Sequence, residues 1–566
     1  MKLTIDGIPV EVVPEESLLN VLKRMGMDSD ALSSRPIAAK IAGEVFNLNY
    51  VPVRKKELSS DTPSIRRAMA ASGGVVQTIL YSDPTGKEVY TRTVQFVVFL
   101  AIRQLWPMAR ASMNFTLGSA LYIQVKDCPD FSAETLNERV KQIVSQRIPL
   151  IRKRITTQQA IEMYEKQGQF DKSRLLQWRQ TPYFDVYGFE DFADYYYGEL
   201  APDTGYLQSW DIVGIDGGFL FVFPDNQNPD AVSSYVDMPN FFAVFSEGER
   251  WGELMKCRNV ADLNELVVSG GIRNLIRVNE ALHEKRYGQI ADMICRRGCK
   301  AVMLAGPSSS GKTTSANRLA VQLQVHGKSP VLMSLDDYYV DRDKCPVGPD
   351  GKVDLEHINT IDTALFGRHL QQLLSGKQVE IPSFNFKTGK REWHGNLMRL
   401  NPDSVIVVEG LHALNPMLLP QELPRELVFK LYVTPLLPLN LDNHNRIPTS
   451  YLRLLRRTVR DYETRGSSVQ QTLSMWDSVR RGEERWIFPY QEYADVIFNS
   501  STLYELSVLK KHIYPLLTAV SPEEPCYQQV RAMVKILNFV LEADVDQEIP
   551  PTSLVREFIG GNVFYL

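Results

Sequence analysis

The chain has 566 residues, 44% hydrophobic and 23% charged, which is too long for one hydrophobic core and calls for three or four domains. Its 63 basic and 67 acidic residues leave a net charge of −4, which excludes bulk basic binding of nucleic acid but leaves room for a local patch. The six cysteines follow no disulfide framework; Cys295 and Cys299 find no second Cys/His pair, so reduced packing thiols are the simpler reading.

Leu3, Ile5 and Ile8 to Val13 alternate around Asp6-Gly7, a hairpin signal, and Ser17 caps a short helix carrying Leu18, Leu19, Val21 and Leu22. Strand-like residues Ile37 to Ile41 follow, an order that fits a small β-grasp module over residues 1–84. Asp6 also interrupts the apolar run a signal peptide needs, and no stretch of about 18 apolar residues occurs, so a reducing cytoplasm and no membrane partner are expected.

From Val89 the pattern predicts a helix from Thr93 to Leu105, stopped by Pro107, then alternation to Val125. Helices are predicted over Ser132 to Ile148 and Thr156 to Gly168. Arg147, Arg152, Lys153, Arg154, Lys172 and Arg174 read either as a tRNA-facing stripe or, preferred, as a solvated face diluted by Glu162, Glu165 and Asp171. Tyr195, Tyr196 and Tyr197 read as core or interface before base-stacking platforms. Helical spacing of Ile272, Leu275, Ile276 and Leu282 marks residues 259–299 as a helical link to the next domain.

The sequence Ala305 to Thr314, AGPSSSGKTT, follows the apolar run Ala301 to Leu304 and opens a helix with Ala316, Leu319, Ala320 and Leu323 on one face. Strand, glycine loop and helix are the context in which backbone N–H groups cradle phosphates. The cradle here is Gly306, Pro307, Ser308, Ser309, Ser310, Gly311, Lys312, Thr313 and Thr314, with Lys312 reaching the outer phosphates and the Thr313 hydroxyl placed for Mg²⁺. A second strand, Val331 to Leu335, ends in Asp336-Asp337-Tyr338-Tyr339, and a third, Val405 to Val408, ends in Glu409. Acids at the carboxyl edge of a parallel sheet sit where ligands bind: one can accept a hydroxyl proton and another can hold Mg²⁺. Arg453, Arg457 and Arg460 recur at i, i+4 and i+7, so a helix places them on one face, as a lid over phosphates or as a solvated basic helix paired with Asp461 and Glu463.

Two resemblances extend this reading. AGPSSSGKTT, the DDYY stretch, DLEHINTID, IPSFNFKTGKRE, VIVVEGLHALNP and RRTVRDYETRG stand in the order found in the uridine kinase and phosphoribulokinase superfamily, nearest its uridine kinase branch. That resemblance implies Asp336 as general base, with Tyr338, Glu356, Phe384, Asn385 and Arg457 around the acceptor and Arg457, Arg460 and Arg465 around the phosphates. Asn385 stands where the family usually carries Asp, Lys387-Thr388-Gly389 replaces a base-contacting His, and Ser467 replaces a lid Arg. The front half, with QLWP and DYYYGELAPDTGYL, resembles the TGS and editing domains of threonyl-tRNA synthetases. That family's metal-binding His, His, Cys and His fall on Arg92, Phe96, Tyr196 and Leu200, which implies the fold without the editing chemistry.

The expected fold is therefore multidomain α+β and α/β. It comprises a TGS-like β-grasp (1–84), an α+β editing-like domain lacking metal ligands (85–258), a helical linker (259–299) and a P-loop α/β kinase with a parallel sheet (300–566). The expected activity is transfer of the ATP γ-phosphoryl group to a nucleoside 5′-hydroxyl, with Mg²⁺ at Thr313 and Glu409. A homo-oligomer is expected, and the alternatives are a kinase of a non-nucleoside sugar or an RNA-binding, ATP-dependent regulator.

Overall fold

A computed structural model describes residues 2–52, 72–179, 181–348, 351 and 353–564; of the closing Phe564-Tyr565-Leu566, the last two lie outside the described residues. At the front, β1 (Lys2–Ile5) turns through Asp6 and Gly7, both at positive φ, into β2 (Ile8–Glu11). Helix α1 (Leu18–Arg24) accepts its Ser17 cap and lays Leu18, Val21 and Leu22 on a mixed sheet. With β3 (Ala38–Ile41), β4 (Glu44–Phe46) and β5 (Val75–Ile79), the strand order is β2-β1-β5-β3-β4, and β1 runs parallel to β5.

Helix α2 (Pro84–Leu105) starts at Pro84 rather than Thr93, because proline's fixed φ suits the first helical position and Asp83 takes the N-cap place. Strands β6 (Arg110–Leu117) and β7 (Ala120–Lys126), helix α3 (Ala133–Ser145), strand β8 (Arg152–Thr156) and helices α4 (Thr157–Lys166) and α5 (Phe170–Leu176) follow. Strands β9 (Tyr183–Phe189) and β10 (Phe192–Asp194) form a three-stranded sheet with β8, while β11 (Asp211–Ile215) and β12 (Gly218–Val222) complete a four-stranded sheet ordered β11-β12-β7-β6.

After α6 (Pro239–Leu254) come α7 (Val260–Ser269) and α8 (Ile272–Arg297). They are not a free linker: Tyr287, Ile290 and Ile294 of α8 cover one face of the next sheet. That sheet is wholly parallel, ordered β14-β19-β13-β20-β21, from β13 (Ala301–Ala305), β14 (Ser329–Ser334), β19 (Ser404–Glu409), β20 (Val428–Thr434) and β21 (Val496–Asn499). Strand alternation sorts β13 between two cores: Val302 and Leu304 join α8 and Leu319 and Leu323 of α9 (Lys312–Val325), while Ala301, Met303 and Ala305 join Phe366 and Leu370 of α10 (Thr363–Leu374) and Phe241 and Phe245 of α6. Two short ribbons, β15 (Val379–Glu380) with β18 (Leu397–Met398) and β16 (Ser383–Asn385) with β17 (Lys390–Glu392), stand beside the sheet. The chain closes with α11 (Thr449–Arg465), α12 (Val469–Trp486), α13 (Glu505–Thr518), α14 (Tyr527–Leu537) and α15 (Arg556–Ile559).

The halves share one hydrophobic core, in which Tyr164, Leu175 and Tyr195 pack with Leu452, Leu455, Leu509 and Phe539. Beside it lies a buried ionic joint. Lys172 Nζ sits 2.5 Å from Asp194 Oδ1 and 2.7 Å from His444 Nδ1, and Tyr195 donates its hydroxyl to Asp442. Lys172 is thus an interior cation, not part of a solvated face, while Arg154 and Arg174 are held by Asp185 and by Asp262 and Glu265.

In the middle of the front half, the Arg92 guanidinium lies so close to Gly198 that a Cβ there would stand 2.6 Å from Arg92 Cζ. Arg92 Nε donates to the Glu199 carbonyl at 3.0 Å, while the Glu199 carboxylate accepts from Arg152 and from the Tyr187 hydroxyl, each at 2.8 Å. Phe96 and Leu200 are buried among apolar neighbours.

Candidate active site

The phosphate loop connects β13 to α9 at the carboxyl edge of the parallel sheet. Gly306 passes so near β20 that a Cβ would stand 2.2 Å from Val433 O, and Gly311 turns at a φ of 88°, so both positions require glycine. The Ser309 and Ser310 hydroxyls are buried without a partner among the described residues, beside the N-terminal end of α9. These donors fit a polyphosphate.

Lys312 is enclosed by the sheet edge, its Nζ 3.3 Å from the Pro307 carbonyl. Burial pushes its pKa down, and Glu409, Asp336 and Glu557 work against that shift. Asp336 is the second residue of the 3-10 turn Leu335–Tyr338; burial holds its carboxyl above the usual range, while Lys312 and Arg465 pull it back. Glu409, at the end of β19, is pushed up to about 7 by burial and then by Asp336. Glu356 reaches about 7 through burial and then the neighbouring Glu483, and its Oε2 is buried without a hydrogen-bond partner among the described residues. Helix α12 presses on it at Gly482, where a Cβ would stand 2.2 Å from Glu356 Cβ.

The arginines of α11 share a face but divide their work. Arg453 is interior: it pairs with Glu483 and donates from Nε to the Ser308 carbonyl at 2.9 Å, so it shapes the loop. Arg457 donates to Ser308 Oγ at 2.8 Å. Asp461 gathers Arg457, Arg460 and Arg465 at 3.3, 2.9 and 3.4 Å, so one buried carboxylate focuses three guanidinium groups toward the loop.

Two residues expected around the acceptor are held by other parts of the fold. Tyr338 is buried, its hydroxyl 3.2 Å from His369 Nδ1 and its ring edge-on to Phe366, so it belongs to the core. The 3-10 turn presents Tyr339 instead, whose hydroxyl feels Asp336 and Glu356 and whose ring lies 5.4 Å from Phe384. Asn385 holds its own hairpin: Oδ1 accepts from the Lys387 and Thr388 amides at 3.1 and 3.2 Å, and Nδ2 donates to Glu392 at 3.0 Å. That local hydrogen bonding is what asparagine offers a turn.

Sequence reasoning missed Glu483, which accepts the Ser308 amide at 2.9 Å from a position 175 residues away, and Glu557, which reaches Thr314. The GEER stretch of α12 gave no sign that its first acid points inward.

The family model of the Phosphoribulokinase / Uridine kinase family matches residues 301–507. A uridine kinase of Ligilactobacillus salivarius is 32% identical over 34% of this chain and 82% of its own length. One from Vibrio vulnificus is 30% identical over 39% of this chain and 97% of its own. A solved structure described as a possible uridine kinase from Bacillus stearothermophilus aligns at 20% identity over 37% of this chain and 97% of that one, with a TM-score of 0.25. The chain therefore belongs to the phosphoribulokinase and uridine kinase family, and its C-terminal half is a P-loop phosphotransferase with an alcohol as acceptor.

Proposed function

We propose that the enzyme transfers the γ-phosphoryl group of ATP to the 5′-hydroxyl of a nucleoside. The carrying observation is that Asp336 and Glu356, both with raised pKa values, stand beside the phosphate loop close enough to feel the charge of Lys312, with Arg457 donating to Ser308 of that loop and acting on Glu356. The uridine kinase names of the relatives support a nucleoside acceptor. The loop from Gly306 to Thr314 cradles the donor phosphates, and Lys312 meets the charge of the transferring group. Asp336 takes the proton of the attacking hydroxyl; its raised pKa makes it a better base than an exposed aspartate. Glu356 and Arg457 orient the ribose, Tyr339 and Phe384 line the base, and Arg460 and Arg465 close over the phosphates and exclude water. Thr313 and Glu409 are hard oxygen donors flanking Lys312, a set that fits Mg²⁺, which when bound neutralises phosphate charge.

A non-nucleoside sugar remains the second acceptor class, favoured by one observation: the Asn385 amide is occupied by its hairpin and is not presented to a base. Purified protein incubated with ATP and a panel of nucleosides and sugars separates the two. Phosphorylation of at least one nucleoside is expected; product from a sugar alone overturns the nucleoside reading.

For the front half we propose the TGS-like module over 1–84 and the editing-like domain over 85–258. The mixed sheet with its parallel β1/β5 pair supports the first. The Arg92 hydrogen bond to the Glu199 carbonyl and the Arg152–Glu199 ion pair support a binding or scaffolding role for the second, without hydrolysis.

A further inference from the structure

The C-terminal segment lies outside the residues matched by the family model, yet it touches the phosphate loop. Ser553, Leu554, Val555 and Phe558 are fully buried, and Ser553 donates to Glu280 at 2.7 Å, so the segment is rooted in the core. From that base Leu554 packs under Gly311, where a Cβ would stand 2.7 Å from Leu554 Cδ2. Glu557 extends to the first turn of α9: its Oε2 accepts the Thr314 hydroxyl at 2.6 Å and the Thr314 amide at 3.4 Å. Asn562 donates to the same hydroxyl at 3.2 Å.

The Thr314 amide is one of the helix donors left without an intrahelical partner, and in a phosphate loop such donors are the ones a nucleotide phosphate requires. A carboxylate already occupies it here. Glu557 also adds negative charge beside Lys312 and Glu409, close enough to oppose the fall of the lysine pKa and to help raise that of the glutamate. We propose that Glu557 is an internal competitor for the phosphates of the donor nucleotide, and so sets the affinity of the donor site. It rests on the reading of this loop as the nucleotide site but not on any acceptor. Because the segment's backbone is anchored by Phe558 and by Arg556, whose Nη2 donates to the Ile549 carbonyl at 3.0 Å, the Glu557 side chain swings aside while the segment stays in place.

Titration calorimetry on the full chain without any acceptor tests this, with ATP and inorganic tripolyphosphate as probes. Glu557→Ala should tighten both by about tenfold, the worth of a charged hydrogen bond lost to the competitor. Equal tightening of the two places the competition at the phosphates, not at adenine or ribose. Glu557→Gln, which preserves size and an accepting carbonyl, should tighten both by a smaller factor and guards against a folding defect in the alanine variant. Unchanged or weaker binding in folded variants overturns the proposal, weaker binding meaning that Glu557 holds the loop in its working shape. Absence of ATP binding in the wild-type chain would instead count against the nucleotide site itself.

Discussion

Two lysines, Lys172 fully buried and Lys312 half-buried, mark two regions that treat charge in opposite ways. At the joint between the halves, Lys172 is closed off by Asp194 and His444, with Asp442 beside it, and burial of Asp194 is outweighed so that its pKa falls to about 2. At the kinase site, Lys312 faces Asp336 and Glu409, whose pKa values are raised, and Glu356 Oε2 and the Ser309 and Ser310 hydroxyls are buried without a hydrogen-bond partner among the described residues. A structural ion cluster saturates its groups, whereas a site built for a charged ligand holds groups whose partners arrive with that ligand.

The same substitution at both lysines should break this comparison cleanly. Lys312→Met is expected to lower phosphoryl transfer by about 10³- to 10⁵-fold, the range for withdrawing a cation from a transferring phosphoryl group, with little change in melting temperature. A variant within tenfold of wild type in steady-state turnover would remove Lys312 from the chemistry. Lys172→Met should do the reverse, destabilising the fold by about 3–5 kcal/mol because it leaves buried carboxylates uncompensated, while the folded fraction keeps its specific activity. Denaturant unfolding monitored alongside activity checks both, and a stable Lys172 variant would mean that the joint contributes less than its burial implies.

The smallest expected effect is the pH dependence of the ligand-free chain. Glu356 and Glu409, with ordinary values of 4.5 and folded values of about 7, bind more protons folded than unfolded between those limits, so stability falls as pH rises through that window. Asp194, lowered from 3.8 to about 2, has the opposite sign: its contribution is present above 3.8 and is lost as pH falls toward 2. The melting temperature should be about 2–4 °C higher at pH 6 than at pH 8. The double variant Glu356→Gln, Glu409→Gln should flatten that slope and leave the acid limb intact; a slope that persists assigns it to other groups.

Much of the kinase site was legible because its signals are local. Gly306, Gly311, Lys312 and the strand-end acids Asp336 and Glu409 each follow from a short pattern next to an apolar run. The choice between Tyr338 and Tyr339 was not, since a 3-10 turn after β14 rotates successive side chains by an angle that composition does not encode. The hairpin role of Asn385 was not legible, because a turn asparagine and a ligand-contacting asparagine carry the same letters; the amides two and three residues on, which its Oδ1 accepts, show the turn role. Glu483 and Glu557 arrive from 175 and 243 residues away, beyond any window of sequence reading. In the front half, strand and helix patterns were readable, but the cores were not: α4 and α5 pack on the kinase's last helices, and α8, within the stretch read as a helical link, packs on one face of the kinase sheet.

The joint at Lys172 also bears on how the chain is made. His444, its partner, is 272 residues further along, which at about 5–20 residues per second is a delay of roughly 15–50 s during synthesis. Through that interval the nascent front half holds Lys172 against Asp194 alone, without His444 and Asp442, and carries the uncovered apolar sides of Tyr164, Leu175 and Tyr195. Ribosome-bound chains stalled before residue 442 should therefore recruit chaperones, and release them once the second half emerges.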